Sequence, residues 1–225
     1  MCDPNAVCPR VVPVFPLPDL VLLPGQVQGL HIFEPRYRQM TADLLQGDRW
    51  LAIALLKPGF EPSYFTPHAP IHGTLGVGRV VAAEARPDGR YDILVRGSTR
   101  ARLVRENDPR PYRVAEVETL QDDDMAAEGC ATLRHALECT VREELAVETD
   151  LRECCLHLFS QELSLGAVAD VIASGLPLAP EIRQKFLETT CVRRRVESLL
   201  SYVRTYASVT RTSRRIRPDP CSDLN

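Results

Sequence analysis

The sequence predicts an α+β fold: a compact β-barrel or folded sheet, followed by a C-terminal α-helical bundle. Three observations predict it. Up to about residue 120, short apolar stretches alternate with proline and glycine punctuation, as strands joined by turns do. Beyond that point the apolar residues recur at helical spacing. The length of 225 residues, with 44% apolar and 25% charged, suits one domain or two small ones with ordinary cores. The expected division is 11–120 for the barrel with one inserted helix, 121–207 for the bundle and 208–225 for a flexible Arg/Pro-rich tail.

Val12, Val14 and Phe15 open the first strand, and a proline-spaced stretch follows it. Val27–Phe33 reads as a second strand. Pro35, suited to a first helical position, starts a short helix with Tyr37, Met40, Leu44 and Leu45 at helical spacing. Trp50–Leu56 is an apolar run of strand length, and Pro58–Gly73, with four prolines, reads as an irregular loop. Leu75–Glu84 and Tyr91–Val95 flank Arg86-Pro87-Asp88-Gly89-Arg90, a hairpin signal because glycine accepts the positive φ of such turns. Thr99–Arg105 and Tyr112–Leu120 alternate as further strands, giving about seven in all.

In the second half, Cys130, Leu133, Leu137, Val141 and Leu145 form one helical stripe, and Leu151, Cys155, Leu158 and Phe159 a shorter one. A helix opening near Ser164 should stop at Gly175, with Pro177 just beyond. Pro180 and Glu181 begin another. Val192, Val196, Leu199, Leu200 and Val203 form the final stripe.

Composition excludes several functions. Of 27 basic residues only Lys57 and Lys185 are lysines, and Gly-Lys occurs nowhere, so the phosphate-cradling loop of P-loop NTPases is absent. There is no Gly-x-Ser-x-Gly elbow, and neither lysine has a serine in a recognisable dyad context. The longest apolar run, Trp50–Leu56, is too short to cross a bilayer, and the opening MCDPNAVCPR lacks the apolar segment of a signal peptide. The eight cysteines show no CxxC pair, so a reduced, cytoplasmic chain without metal or other cofactor is expected. His68 and His72 stand four apart, but Pro67 and Pro70 interrupt any helix that would align them.

Charge is segregated in the helical half. Glu116–Glu153 carries twelve acidic and three basic residues, and Glu181–Arg217 three acidic and ten basic. The plain reading is a basic last helix packed on an acidic first one. The alternative is an anionic-partner site of Arg193, Arg194 and Arg195 with Arg211, Arg214, Arg215 and Arg217. Asp122-Asp123-Asp124 reads as a helix N-terminal cap rather than a cation site.

One stretch is patterned enough to carry a family resemblance. Val14-Phe15-Pro16-Leu17-Pro18-Asp19-Leu20-Val21-Leu22-Leu23-Pro24-Gly25 is followed by Leu30-His31-Ile32-Phe33-Glu34-Pro35-Arg36-Tyr37. It resembles the N-terminal, substrate-binding domain of the Lon protease family. The likeness continues through Gly73-Thr74-Leu75-Gly76, Val95-x-Gly97-x-x-Arg100, Val168–Ser174 and Arg183–Thr189, so it spans roughly Val11 to Val203. From the residues themselves, Pro24-Gly25 turns the chain between apolar strands, Phe33 suits a staple onto the following helix, and Arg36 suits a pairing with a carboxylate across the sheet. Such residues hold a fold together more often than they touch a ligand.

The resemblance implies a PUA-like β-barrel followed by a helical bundle, and a role in recognising unfolded or tagged polypeptides. The ATPase and Ser-Lys protease parts of full Lon proteins have no counterpart in these 225 residues. The expectation is a non-catalytic protein-binding module that engages exposed apolar polypeptide segments, as adaptor or holdase, with a protease or chaperone as co-partner. Phe60, Tyr64 and Phe65 are the candidate binding residues, because prolines around them limit the ordering cost of binding. Two alternatives from other classes stand beside it: an RNA-binding PUA-like module using the C-terminal arginines, and a hydrolase with a dispersed Cys/His site.

Overall fold

The computed structural model describes residues 8–66, 68–107, 111–123, 127–146 and 148–216. The chain divides into two units: Met1–Gln121 with Pro177–Thr190, and Asp122–Leu176 with Cys191–Asn225.

The first unit is built on six strands: β1 (Val11–Leu17), β2 (Val27–Ile32), β3 (Trp50–Leu55), β4 (Thr74–Ala85), β5 (Tyr91–Glu106) and β6 (Arg113–Leu120). Their order is β2-β5-β4-β3-β1-β6, and β6 also pairs with β5, so five strands close a ring and β2 extends from it. Helix α1 (Pro35–Gln46) lies in the connection between β1 and β3, which pair in parallel and therefore need such a crossover. Every residue of β3 is buried. Trp50, Ala52 and Ala54 join one apolar cluster with Val12, Val14, Leu75, Val77, Ala115 and Val117. Leu51 and Ile53 join a second cluster with Phe15, Ile32, Tyr37, Met40, Leu44 and Ile93. Burial on both sides explains why Trp50–Leu56 reads as a continuous apolar run rather than an alternating one.

The segments expected as separate strands over Tyr91–Val95 and Thr99–Arg105 form a single strand, so six strands stand among the described residues where about seven were expected. β5 changes partner along its length. Tyr91–Arg96 pairs with β2, and Arg100–Glu106 pairs with β6. The hairpin between β4 and β5 turns at Gly89, whose φ is 79°, with the Gly89 amide donating to the Arg86 carbonyl.

Helix α5 (Pro180–Glu188) belongs to this first unit rather than to the bundle expected over 121–207. The reason is polar and specific: the Gln184 amide donates to the Thr74 carbonyl at 3.0 Å, and buried Arg100 Nε donates to the Leu187 carbonyl at 3.1 Å.

The second unit contains α2 (Ala127–Glu144), α3 (Thr149–Phe159), α4 (Leu165–Gly175) and α6 (Val192–Ile216). Its core includes Leu137, Val141 and Leu145 from the α2 stripe, Val168, Ala169 and Ile172 from α4, and Val196, Leu199 and Val203 from α6. Ser164 caps α4, its hydroxyl accepting from the Ala167 amide at 3.2 Å. Helix α6 continues to Ile216, into the segment expected as a tail from 208. Among the described residues no helix is long and apolar enough to cross a membrane.

Candidate functional site

The Pro58–Gly73 connection is more ordered than its prolines implied. A 3-10 turn forms over Glu61–Ser63, and the Lys57 amide donates to the Pro70 carbonyl at 2.8 Å. The three aromatic candidates form a chain of ring contacts, with centroids 5.6 Å apart for Phe60 and Tyr64 and 5.0 Å apart for Tyr64 and Phe65. They are not equivalent. Phe60 and Tyr64 are half-buried and pack against the inner barrel cluster, whereas Phe65 is 82% exposed. The structure thus splits the trio into two anchors and one free ring.

Arg36 ties this loop to the start of α1. Its Nε donates to Glu34 Oε2 at 3.1 Å, and its Nη2 reaches the Tyr64 carbonyl at 3.4 Å. Its carboxylate partner is therefore Glu34, two residues away in the chain, rather than one across the sheet. The same guanidinium lies 4.6 Å from the Tyr37 ring centroid. Burial pushes the Tyr37 phenol up to about 12, with Arg36 pulling against it.

Phe33 corrects an expectation. Rather than stapling onto α1, it is 59% exposed, its ring stacked on His31 at 6.2 Å. Phe33 precedes Glu34 and Phe65 follows Tyr64, so two exposed phenylalanines flank one Glu34–Arg36–Tyr64 bracket. Sequence reasoning missed Phe33 as a surface residue, because an apolar residue before a helix normally packs down.

The arginine candidates fare differently. Arg195 is 1% exposed and pairs with Asp122 and Asp170, so it leaves the proposed anion site. Asp122, one of the three aspartates expected to cap the next helix, is engaged by this pairing, and Asp124 lies outside the described residues. Arg211 Nη2 donates to Glu144 Oε2 at 2.9 Å, linking the basic α6 to the acidic α2 as the plain reading of the charge segregation expects. Arg193 and Arg194 are exposed. The side chains of Arg214 and Arg215, and all of Arg217, lie outside the described residues.

Cys139 and His135 approach to 3.6 Å on α2. They are one helical turn apart, a spacing that brings any such pair together. Backbone N–H groups in the middle of a helix are committed to the helix's own hydrogen bonds. Burial raises the Cys155 thiol to about 11, away from a reactive thiolate. Among the described residues no three His, Cys, Asp or Glu side chains converge as a metal set.

The motif residues act on the fold. A Cβ at Gly76 or Gly97 would strike the carbonyls of Leu22 and Leu23 respectively. Gly25, at φ 81°, donates its amide to the Gly97 carbonyl at 2.9 Å, and the Gly97 amide donates to the Gln26 carbonyl at 2.8 Å. The proline-glycine turn is thus seated on β4 and β5 by glycines that let the two backbones meet.

A ring of five strands with a crossover helix, followed by a helical unit, defines the structural class: an α+β barrel-and-bundle protein. The chain belongs to the family described as the ATP-dependent protease La (LON) substrate-binding domain, whose family model matches residues 11–205. It is 28% identical over 212 residues to the Lon protease of Azorhizobium caulinodans, covering 92% of this chain and 24% of that protein. Lon protease 2 of Myxococcus xanthus is 24% identical over 210 residues, covering 92% of this chain and 25% of that protein. The chain therefore spans about a quarter of the length of these curated relatives. Among solved structures, a Lon N-terminal domain protein from Xanthomonas campestris superposes with a TM-score of 0.60 at 24% identity, covering 85% of this chain and 98% of that one. The N-terminal domain of a Mycobacterium avium complex Lon protease gives 0.68 at 18% identity, covering 86% and 97%.

Proposed function

We propose that this chain binds exposed apolar segments of other polypeptides, as an adaptor or holdase that performs no chemistry of its own. The observation that carries the reading is Phe65, 82% exposed on a loop that Phe60, Tyr64 and Arg36 otherwise fasten down. Burying a phenylalanine is worth about 1.5–3 kcal/mol, which an exposed ring forgoes until something covers it. Phe33 beside the same bracket offers a second ring. The prolines and ring contacts hold the loop, so little ordering entropy is lost on binding. Membership of a substrate-binding domain family supports the reading.

The test is capture of a permanently unfolded model protein by the full chain, compared with Phe33→Ala/Phe65→Ala. Binding should weaken about tenfold or more, the loss of roughly 1.4 kcal/mol or more of burial. Equal capture by the two, with unchanged circular dichroism, would remove the aromatic pair from the site. No capture by the parent chain would remove the function.

A further inference from the structure

The turn that carries Phe65 is shaped from within. The Ser63 amide and hydroxyl donate to the Phe60 carbonyl, and the Tyr64 amide donates to the Glu61 carbonyl. The Thr66 amide and hydroxyl donate to the Ser63 carbonyl, and the Thr66 hydroxyl accepts from the His68 amide. These bonds fold the turn but do not fix where it stands on the barrel. The Phe60 and Tyr64 rings, packed against the inner cluster, fix it in part. Among the described residues, one hydrogen bond reaches residues 60–66 from beyond the Pro58–Gly73 loop: Arg36 Nη2 donates to the Tyr64 carbonyl at 3.4 Å. That carbonyl belongs to the peptide link into Phe65, at the root of the exposed ring.

At 3.4 Å the bond is long, so its worth depends on how firmly the donor is placed. Glu34 Oε2 lies 3.1 Å from Arg36 Nε and 3.0 Å from Nη2, and the Tyr37 ring flanks the guanidinium. The side chains of Arg36 and Glu34 are 21% and 19% exposed, which limits competition from water. Glu34 is the N-cap residue of α1, where a side chain commonly bonds to first-turn amides, yet it makes no such bond. Its carboxylate goes to Arg36 instead.

Arginine suits this place. Its guanidinium is a rigid plane with five N–H donors, so one part can hold a carboxylate while another N–H meets a carbonyl. The plane can also lie against an aromatic ring, as it does at Tyr37. Arg36 is therefore a fixed donor standing on α1, not a free surface chain.

We propose that Arg36 is the positioning residue of the aromatic site: through the Tyr64 carbonyl it fixes the main chain from which Phe65 projects, and so keeps that ring ready for a polypeptide segment. This inference rests on the reading of the chain as a polypeptide binder and names what prepares the site. Arg36 touches no partner itself. It removes an ordering cost that binding would otherwise carry. Apparent affinity scales with the fraction of chains already in the competent arrangement, so a loop that holds it about one time in five binds about fivefold more weakly.

The probe is fluorescein-labelled lactalbumin, reduced and carboxymethylated so that it stays unfolded, titrated with the full chain by fluorescence anisotropy. Arg36→Met, which keeps the apolar stem, should weaken binding about fivefold, and by no more than Phe65→Ala itself does. Hydrogen exchange should quicken at the Ser63, Tyr64 and Thr66 amides while β3 and β4 keep their protection. A double-mutant cycle separates positioning from general support of the fold. In a Phe65→Ala background Arg36→Met should change affinity by less than about twofold, and in a Phe33→Ala background the full loss should persist. Equal capture by folded Arg36→Met, or an undiminished loss in the absence of Phe65, overturns the proposal. Should Arg36→Met not fold, Glu34→Gln decides: it loosens the same guanidinium, and unchanged capture with unchanged loop exchange overturns the proposal. Capture that Phe65→Ala weakens and Arg36→Met does not overturns this inference and leaves polypeptide binding intact. No capture by the parent chain overturns both.

Discussion

Arg195 and Asp122 form a bidentate ion pair inside the helical unit, with Nη1–Oδ1 at 2.9 Å and Nη2–Oδ2 at 2.5 Å. Asp170, 1% exposed, stands 3.2 Å from the same guanidinium through its Oδ1. One arginine of α6 therefore joins α4 to the segment that precedes α2. Gly166 permits this, because a Cβ there would strike both Asp122 and Arg195.

Removing the arginine should leave a buried charge without its partner. Arg195→Met is expected to cost about 3–5 kcal/mol, read as a shift of the urea unfolding midpoint. Adding Asp170→Leu should recover part of that loss by removing the stranded carboxylate. A cost under about 1 kcal/mol for the single variant would mean that water already reaches the site.

Gly76→Ala should destabilise the barrel unit. Its new methyl would meet the Leu22 carbonyl, which is backbone and cannot swing away. Overpacking of this kind costs about 1–3 kcal/mol, measurable in the thermal midpoint. Gly73→Ala is the control, since nothing lies within 4 Å of its Cβ position. Equal effects of the two would show that backbone approach is not what Gly76 provides.

The aromatic loop should separate by role. Phe65→Ala is expected to change stability by no more than about 0.5 kcal/mol, as surface substitutions do. Phe60→Ala, which strips a ring from the barrel cluster, should cost more than that even where binding is unaffected. Chemical denaturation of both variants decides it, and the reverse ranking would mean that Phe65 packs in solution.

Cys154 and Cys155 adjoin in sequence and differ in environment: the first is exposed and the second 3% exposed. Burial, with a smaller contribution from Cys154, lifts Cys155 from 9.0 to about 11. Iodoacetamide at mildly alkaline pH should therefore label Cys154 and spare Cys155 until the chain is denatured. The sign for stability follows from a folded value above the unfolded one. The contribution is intact below about pH 9 and is lost as pH rises toward 11. Equal labelling rates, resolved by peptide mass mapping, would contradict the burial.

Much of the barrel was legible because its signals are local. Pro35 at the first position of α1, Gly89 in the hairpin and Ser164 capping α4 each act within a few residues, so spacing alone places them. Trp50–Leu56 announced burial by having no polar alternation. The single strand β5 was not legible, since Gly97 reads as an interruption in sequence. In the fold it marks the crossing of the Leu23 carbonyl rather than a break. Arg195 in a run of three arginines looks like solvated charge until Asp122 and Asp170, distant in the chain, arrive beside it.

The sequence by itself determined the α+β class, the family, and the absence of a P-loop motif, because these depend on periodicity and on motifs contiguous in the chain. Only the tertiary structure decided which aromatic rings pack and which face water, that α5 joins the strands, and that β2 pairs, among the described residues, with β5 alone. Those outcomes are set by partners far apart in sequence. A phenylalanine buries or exposes its ring according to what the rest of the chain brings against it, and pattern within its own segment carries no record of that.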